Sequence, residues 1–163
     1  MTDKLDIIST GEYPADVLSN FYPNTFEIDG VRCASMEGFL QSLKTKNKKK
    51  QKYVCTLSGK KAKKYFRHKF GNVCWKLTGS LYWNGRKIKR TGTQYQELLD
   101  RAYAELAKGR EFRDALLATD DAELCHSVGK SDPRFTVLTE KEFVDRLTVL
   151  RERLREADEQ IHP

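Results

Sequence analysis

The sequence predicts an α+β domain, mainly helical, with small antiparallel β-hairpins between the helices. Three observations predict it. Asp29-Gly30 and Asn84-Gly85 each separate two short β-leaning runs, and a two-residue hairpin turn needs the positive φ that Asn, Asp and Gly tolerate. Tyr95, Leu98, Leu99, Ala102, Tyr103 and Leu106 recur at the period of an amphipathic helix. Thr139-Glu140-Lys141-Glu142 is a capping box, in which each end's side chain accepts from the other end's free backbone N–H at a helix start.

In chain order, Lys4–Ser9 alternates loosely and reads as an edge strand. Asn24–Ile28 and Val31–Ala34 flank the first turn. Ser35 then suits an N-cap, which puts Glu37 in the first turn of a helix with Met36, Phe39, Leu40 and Leu43 on its buried face. That helix is expected to continue through the lysines to Leu57, where Ser58-Gly59 breaks it. Lys60–His68 reads as a second basic helix closed by Gly71-Asn72. The Asn84-Gly85 hairpin and the Tyr95–Leu106 helix follow. A shorter helix carries Phe112, Leu116 and Leu117, and the last carries Phe143, Leu147, Leu150 and Leu154. Between these two lies a polar loop, Cys125–Pro133. No repeat or internal boundary interrupts residues 1–163, which read as a single domain.

Hydrophobic content of 39% with 33% charged residues fits a soluble globular protein, large enough to bury a core without metal or disulfide. No segment approaches the ~20 apolar residues of a membrane span, and the polar start of the chain does not read as a signal peptide. Cys33, Cys55, Cys74 and Cys125 form no Cys-x-x-Cys pair. They read as free thiols of a reducing cytoplasm. No clustered ligand set suggests a metal, and no cofactor is expected. Gly129-Lys130-Ser131 lacks the upstream glycine and following helix of a phosphate-binding P-loop.

The net charge of +7 is unevenly spread. Residues 38–96 hold 17 Lys and Arg and no Asp or Glu. A solvated helix gains stability from alternating signs, so an acid-free run points to a polyanionic partner held through its phosphates. Glu37 stands at the edge of this field as a lone carboxylate.

Ser19-Asn20-Phe21, Phe26, Asp29-Gly30, Glu37, Gln41 and Lys44 resemble the NADAR family, also called the YbiA-like superfamily. Leu57-Ser58-Gly59, Ala62-Lys63, Trp75, Phe112, Ala115–Thr119, Leu124 and Asp132 follow in the family's order, so the resemblance spans roughly residues 17–150. It implies a compact, mainly helical YbiA-like α+β fold and N-glycosidase chemistry on ribosylated compounds. The implied substrates are ADP-ribose attached to a base, notably guanine in nucleic acid, or ribosylamino-pyrimidine phosphates of riboflavin synthesis. The chain departs from the family at Gly38, where an aromatic or His is frequent, and in the loop His126-Ser127 to Ser131-Asp132-Pro133-Arg134-Phe135.

Breaking an N-glycosidic bond develops positive charge on the ribose carbon, which a carboxylate stabilises while activating water. Glu37 is the first catalytic candidate; a helix-start acid favoured by the macrodipole is the plain alternative. Asp132 is the second, against an ordinary turn former before Pro133. Lys44, two helical turns beyond Glu37, is the third, as a phosphate partner or an amine nucleophile. Substrate-contact candidates are Ser19 and Asn20 in a stiff polar turn, Phe21, Tyr22, Trp75 and Trp83 as stacking surfaces against the plain alternative of core aromatics, and His126 and Ser131 in the late loop. Trp83, beside Asn84-Gly85, is expected to be the most exposed aromatic. The leading substrate is ADP-ribosylated nucleic acid or another ribosylated nucleotide. A non-catalytic ADP-ribose or nucleic-acid binder is the reading from a different class.

Overall fold

The computed structural model describes residues 3–161. It is an α+β fold of eight helices and six short strands among these residues. Strand β1 (Lys4–Asp6) precedes α1 (Ala15–Leu18). Hairpin β2 (Phe26–Ile28) and β3 (Val31–Cys33) leads into α2 (Met36–Ser42), α3 (Lys48–Cys55), α4 (Gly59–Lys64) and α5 (Phe70–Thr78). Hairpin β4 (Ser80–Trp83) and β5 (Arg86–Lys89) is followed by α6 (Thr93–Leu106), α7 (Arg110–Leu117), β6 (Glu123–Cys125) and α8 (Glu140–Ile161).

Both hairpin turns form as their sequences require. Asp29 and Asn84 adopt φ of 50°, and Gly30 and Gly85 adopt 75° and 80°, the left-handed pair that matches strand twist. The third strand pair was not expected. β1 pairs in parallel with β6, Leu5 opposite Leu124, a contact between distant segments that local patterning does not announce.

Helix α2 is the hub. Ser35 Oγ accepts from the Gly38 N–H at 3.0 Å, and all seven α2 residues are buried. Phe39 packs edge-on against Phe26 and Trp83, at ring separations of 6.0 and 5.0 Å. At Gly38 the helix touches the end of α3 so closely that a Cβ would lie 2.3 Å from the Leu57 carbonyl and 3.1 Å from that of Val54. The aromatic or His frequent elsewhere at this position has no room here.

The long helix expected across residues 36–57 is two helices. Asn47 Oδ1 accepts from the Lys50 N–H at 2.9 Å and starts α3 afresh. The Leu43 carbonyl is taken by the Tyr82 N–H at 2.8 Å, and buried Gln51 donates to the carbonyls of Ser42 and Tyr82 at 3.1 and 2.8 Å. Tertiary bonds thus claim the carbonyls that helix propagation would use. Gly71-Asn72, read as a break, lie inside α5; Gly71 fits because its bare Cα faces the Lys44 carbonyl, 3.0 Å from where a Cβ would stand.

The α6 stripe is buried as patterned, from Tyr95 to Leu106. The capping box of α8 closes in both directions, Glu142 N to Thr139 Oγ1 at 3.1 Å and Thr139 N to Glu142 Oε1 at 3.3 Å. Trp83 is not exposed: it is a core residue at 4% exposure, its indole N–H donating to Asp29 Oδ2. Among the described residues no helix is long and apolar enough to cross a membrane.

Candidate active site

One cavity of about 380 Å³ opens where α2, α4, α5 and the late loop converge. That volume lies in the range of small-ligand pockets.

Glu37 forms part of its wall. Its position follows from the Ser35 cap and from its own N–H, which donates to the Asn20 carbonyl at 2.9 Å. The side chain is 6% exposed. Oε1 accepts from Gln41 Nε2 at 2.8 Å, one turn along the helix, and lies 3.6 Å from Lys63 Nζ. Oε2 has no hydrogen-bond partner among the described residues and is the oxygen left to act. Gln41 Oε1 is buried without a partner, so the amide is held by its nitrogen end alone.

Lys44 reaches the same cavity from the turn after α2 rather than from the helix face. Its Nζ donates to Asn72 Oδ1 at 3.0 Å and sits 5.9 Å from the Trp75 ring centre. Burial pushes the amine down to about 8, helped by nearby Lys63, Lys76 and Lys130 and opposed by the Glu37 charge. The lowered value makes a neutral amine accessible near physiological pH.

Asn20 and His126 close the far wall. Asn20 Oδ1 accepts from the Tyr103 hydroxyl at 2.8 Å, so its NH₂ is the end left for a ligand. Tyr103 is fully buried on α6, and burial holds its hydroxyl protonated well beyond the usual range. His126 Nδ1 lies 2.6 Å from the Ile7 carbonyl, which can only accept, so Nδ1 carries a proton and Nε2 is the nitrogen left for a ligand. The ring stands edge-on to Phe143 at 5.1 Å.

Five cations line this cavity, Lys44, Lys63, Arg67, Lys76 and Lys130, against the single carboxylate of Glu37. The donor set suits an anion. Two supports hold the wall at residues 136–137. Arg90, 2% exposed and paired with Glu142 at 2.7 Å, donates Nε to the Thr136 carbonyl at 2.9 Å. The Tyr95 hydroxyl donates to the Val137 carbonyl.

Of the sequence candidates, Asn20, Glu37, Lys44, Trp75 and His126 meet at this cavity; the others do not line it. Buried Ser19 holds the preceding turn, its Oγ accepting from the Phe21 N–H at 3.2 Å. Trp83 belongs to the core. Ser131 is exposed on the groove beside Arg90 and α8. Asp132 shapes its own turn: both oxygens bind Arg134, which holds its carboxyl below the usual range. The resemblance had marked Lys63; Arg67, one turn on, carried a signal in the same acid-free run. Asn72 carried none, because Gly-Asn reads as a break.

Comparisons with known proteins agree with this fold. The chain superposes on the solution structure of the E. coli protein YbiA with a TM-score of 0.61 at 20% identity, covering 100% of this chain and 90% of that one. The expected YbiA-like fold is therefore observed. An uncharacterised 17.1 kDa protein from the Gp30-rIII intergenic region of enterobacteria phage T4 is 37% identical over 156 residues, covering 93% of this chain and 99% of its own length. With residues 12–152 also matching the family model described as bacteriophage protein GP30.3, the chain belongs to that family.

Proposed function

We propose that the cavity is the active site of an N-glycosidase that removes ADP-ribose from a base, with ADP-ribosylated guanine in nucleic acid as the substrate class. One observation carries the reading: a single buried carboxylate, Glu37, shares a sugar-sized cavity with five cations, one of them an amine lowered to about 8. The resemblance to NADAR proteins supports the same chemistry.

The residues divide the work by their charge. Lys63, Arg67, Lys76 and Lys130 hold the diphosphate. Glu37 Oε2 faces the ribose, stabilises positive charge at the anomeric carbon and takes a proton from the attacking water. The water oxygen bonds to that carbon as the carbon–nitrogen bond breaks, and the departing base nitrogen gains a proton, for which His126 Nε2, the ring nitrogen not held by Ile7, stands in the wall. The neutral form of Lys44, about a tenth of the molecules at neutral pH, offers a second nucleophile: its nitrogen bonds to the same carbon as the base leaves with a proton, and water then cleaves that carbon–nitrogen bond to release the sugar and restore the amine.

Incubation with an oligonucleotide bearing ADP-ribosylated guanine tests this, free ADP-ribose being read by mass spectrometry. Release is expected; tight binding without release makes the protein a reader of the mark. The cavity volume also favours a second reading, a phosphorylated ribosylamino-pyrimidine as substrate. Salt separates the two, because a nucleic acid releases several counterions and a small phosphate few.

A further inference from the structure

The outer side of α5 carries apolar side chains that the core does not use. Phe70 is 81% and Leu77 82% exposed, with Val73 at 54% between them on the same face. The opposite face presents Asn72 and Trp75 to the cavity. A second aromatic surface lies beside it. Tyr53, 55% exposed on α3, stands 5.8 Å from the Tyr65 ring. Lys69 Nζ sits 3.4 Å above that same ring, next in sequence to Phe70.

The charges around these rings are not arranged for stability. Helices α3, α4 and α5 have no acid in their first turns, and α3 begins with Lys48, Lys49 and Lys50. Cations there oppose the macrodipole. Exposed aromatics interleaved with cations, of which Lys63 alone has a carboxylate partner among the described residues, form the combination that binds unstacked bases by their faces and phosphates by their charge. A duplex hides its base faces and would leave Phe70 unused. Arg67 and Lys63 belong both to this surface and to the cavity wall, so a strand lying on it runs into the cavity.

We propose that the outer face of α3–α5 is a track for single-stranded nucleic acid, with bases stacked on Phe70 and on the Tyr53–Tyr65 pair. The track rests on the glycosidase reading for the extruded base it delivers, yet its test needs no turnover. Fluorescence anisotropy with an unmodified labelled single strand, its duplex, and phosphatidylglycerol vesicles compares the full chain with Phe70→Ala and with Tyr53→Ala. Both side chains are exposed, so both variants keep the fold, checked by thermal melting. The single strand is expected to bind more tightly than the duplex. Each substitution should weaken it about tenfold, the loss of one stacked base, with the salt slope unchanged. Equal affinity for strand and duplex that neither substitution alters would overturn the track and leave charge alone. Vesicle binding that Phe70→Ala removes, without oligonucleotide binding, would overturn it in favour of a membrane face. Absence of ADP-ribose release would refute the proposed chemistry and leave these binding results standing.

Discussion

Replacing Lys44 by Met removes a charge from the cavity while keeping an unbranched side chain against Trp75. The amine falls from 10.5 to about 8 on folding, and each unit corresponds to about 1.4 kcal/mol. Holding the ammonium in the folded protein therefore costs on the order of 2–3 kcal/mol, after a discount for its partial exposure. The variant forfeits the bond to Asn72, which contributes about 1 kcal/mol. It should be more stable than the parent by about 1–2 kcal/mol near neutral pH, or a few degrees in Tm. The sign reverses with alkali. Between about 8 and 10.5 the unfolded chain holds a proton on Lys44 that the folded chain has released, so the parent gains stability through that window. The cost is fully present below the window and gone above it. Urea unfolding of both proteins near neutral pH and near pH ~10 measures the difference. A variant less stable at neutral pH, or one whose advantage ignores pH, would refute the picture of a strained ammonium.

Four further outcomes follow from the same geometry. Gly38→Ala should lose about 1–2 kcal/mol in urea unfolding, because a Cβ 2.3 Å from the Leu57 carbonyl outweighs the roughly 1 kcal/mol gain in helix propensity. Tyr103→Phe should leave Asn20 without its anchor, slowing release several-fold at a stability loss of about 1 kcal/mol, read by kinetics and melting together. Asp132→Asn should change the release rate by no more than about twofold, because this partly exposed carboxylate is spent on Arg134 and lies off the site. If the neutral amine of Lys44 is the reacting form, the rate should rise with pH around 8 and level off, whereas an ordinary lysine would keep it rising towards 10.5.

The parts of this fold legible in the sequence are those fixed by neighbouring residues. The two Gly-containing turns, the Ser35 cap, the Thr139 capping box and the α6 stripe are local devices, and each formed. What escaped depends on distant partners. The split of α2 from α3 rests on Gln51 and Tyr82 taking helix carbonyls, and β1 finds β6 across most of the chain. Trp83 was misread because its burial comes from Phe39 and Asp29, far away in sequence. At the site, the contrast of one acid with many cations was visible at Glu37 and Lys44. The bond from Tyr103 to Asn20 and the meeting of Lys44 with Asn72 were not, since nothing local links these positions.

The central claim is that Glu37 performs the chemistry while its neighbours hold the substrate. Single-turnover release of ADP-ribose from an oligonucleotide carrying ADP-ribosylated guanine, by the parent and by Glu37→Gln, tests it most directly. The account expects the glutamine variant to melt like the parent, bind the oligonucleotide as well, and release ADP-ribose about 10²–10⁴-fold more slowly. Release within about tenfold of the parent, with binding intact, would contradict it and move the catalytic role away from this carboxylate.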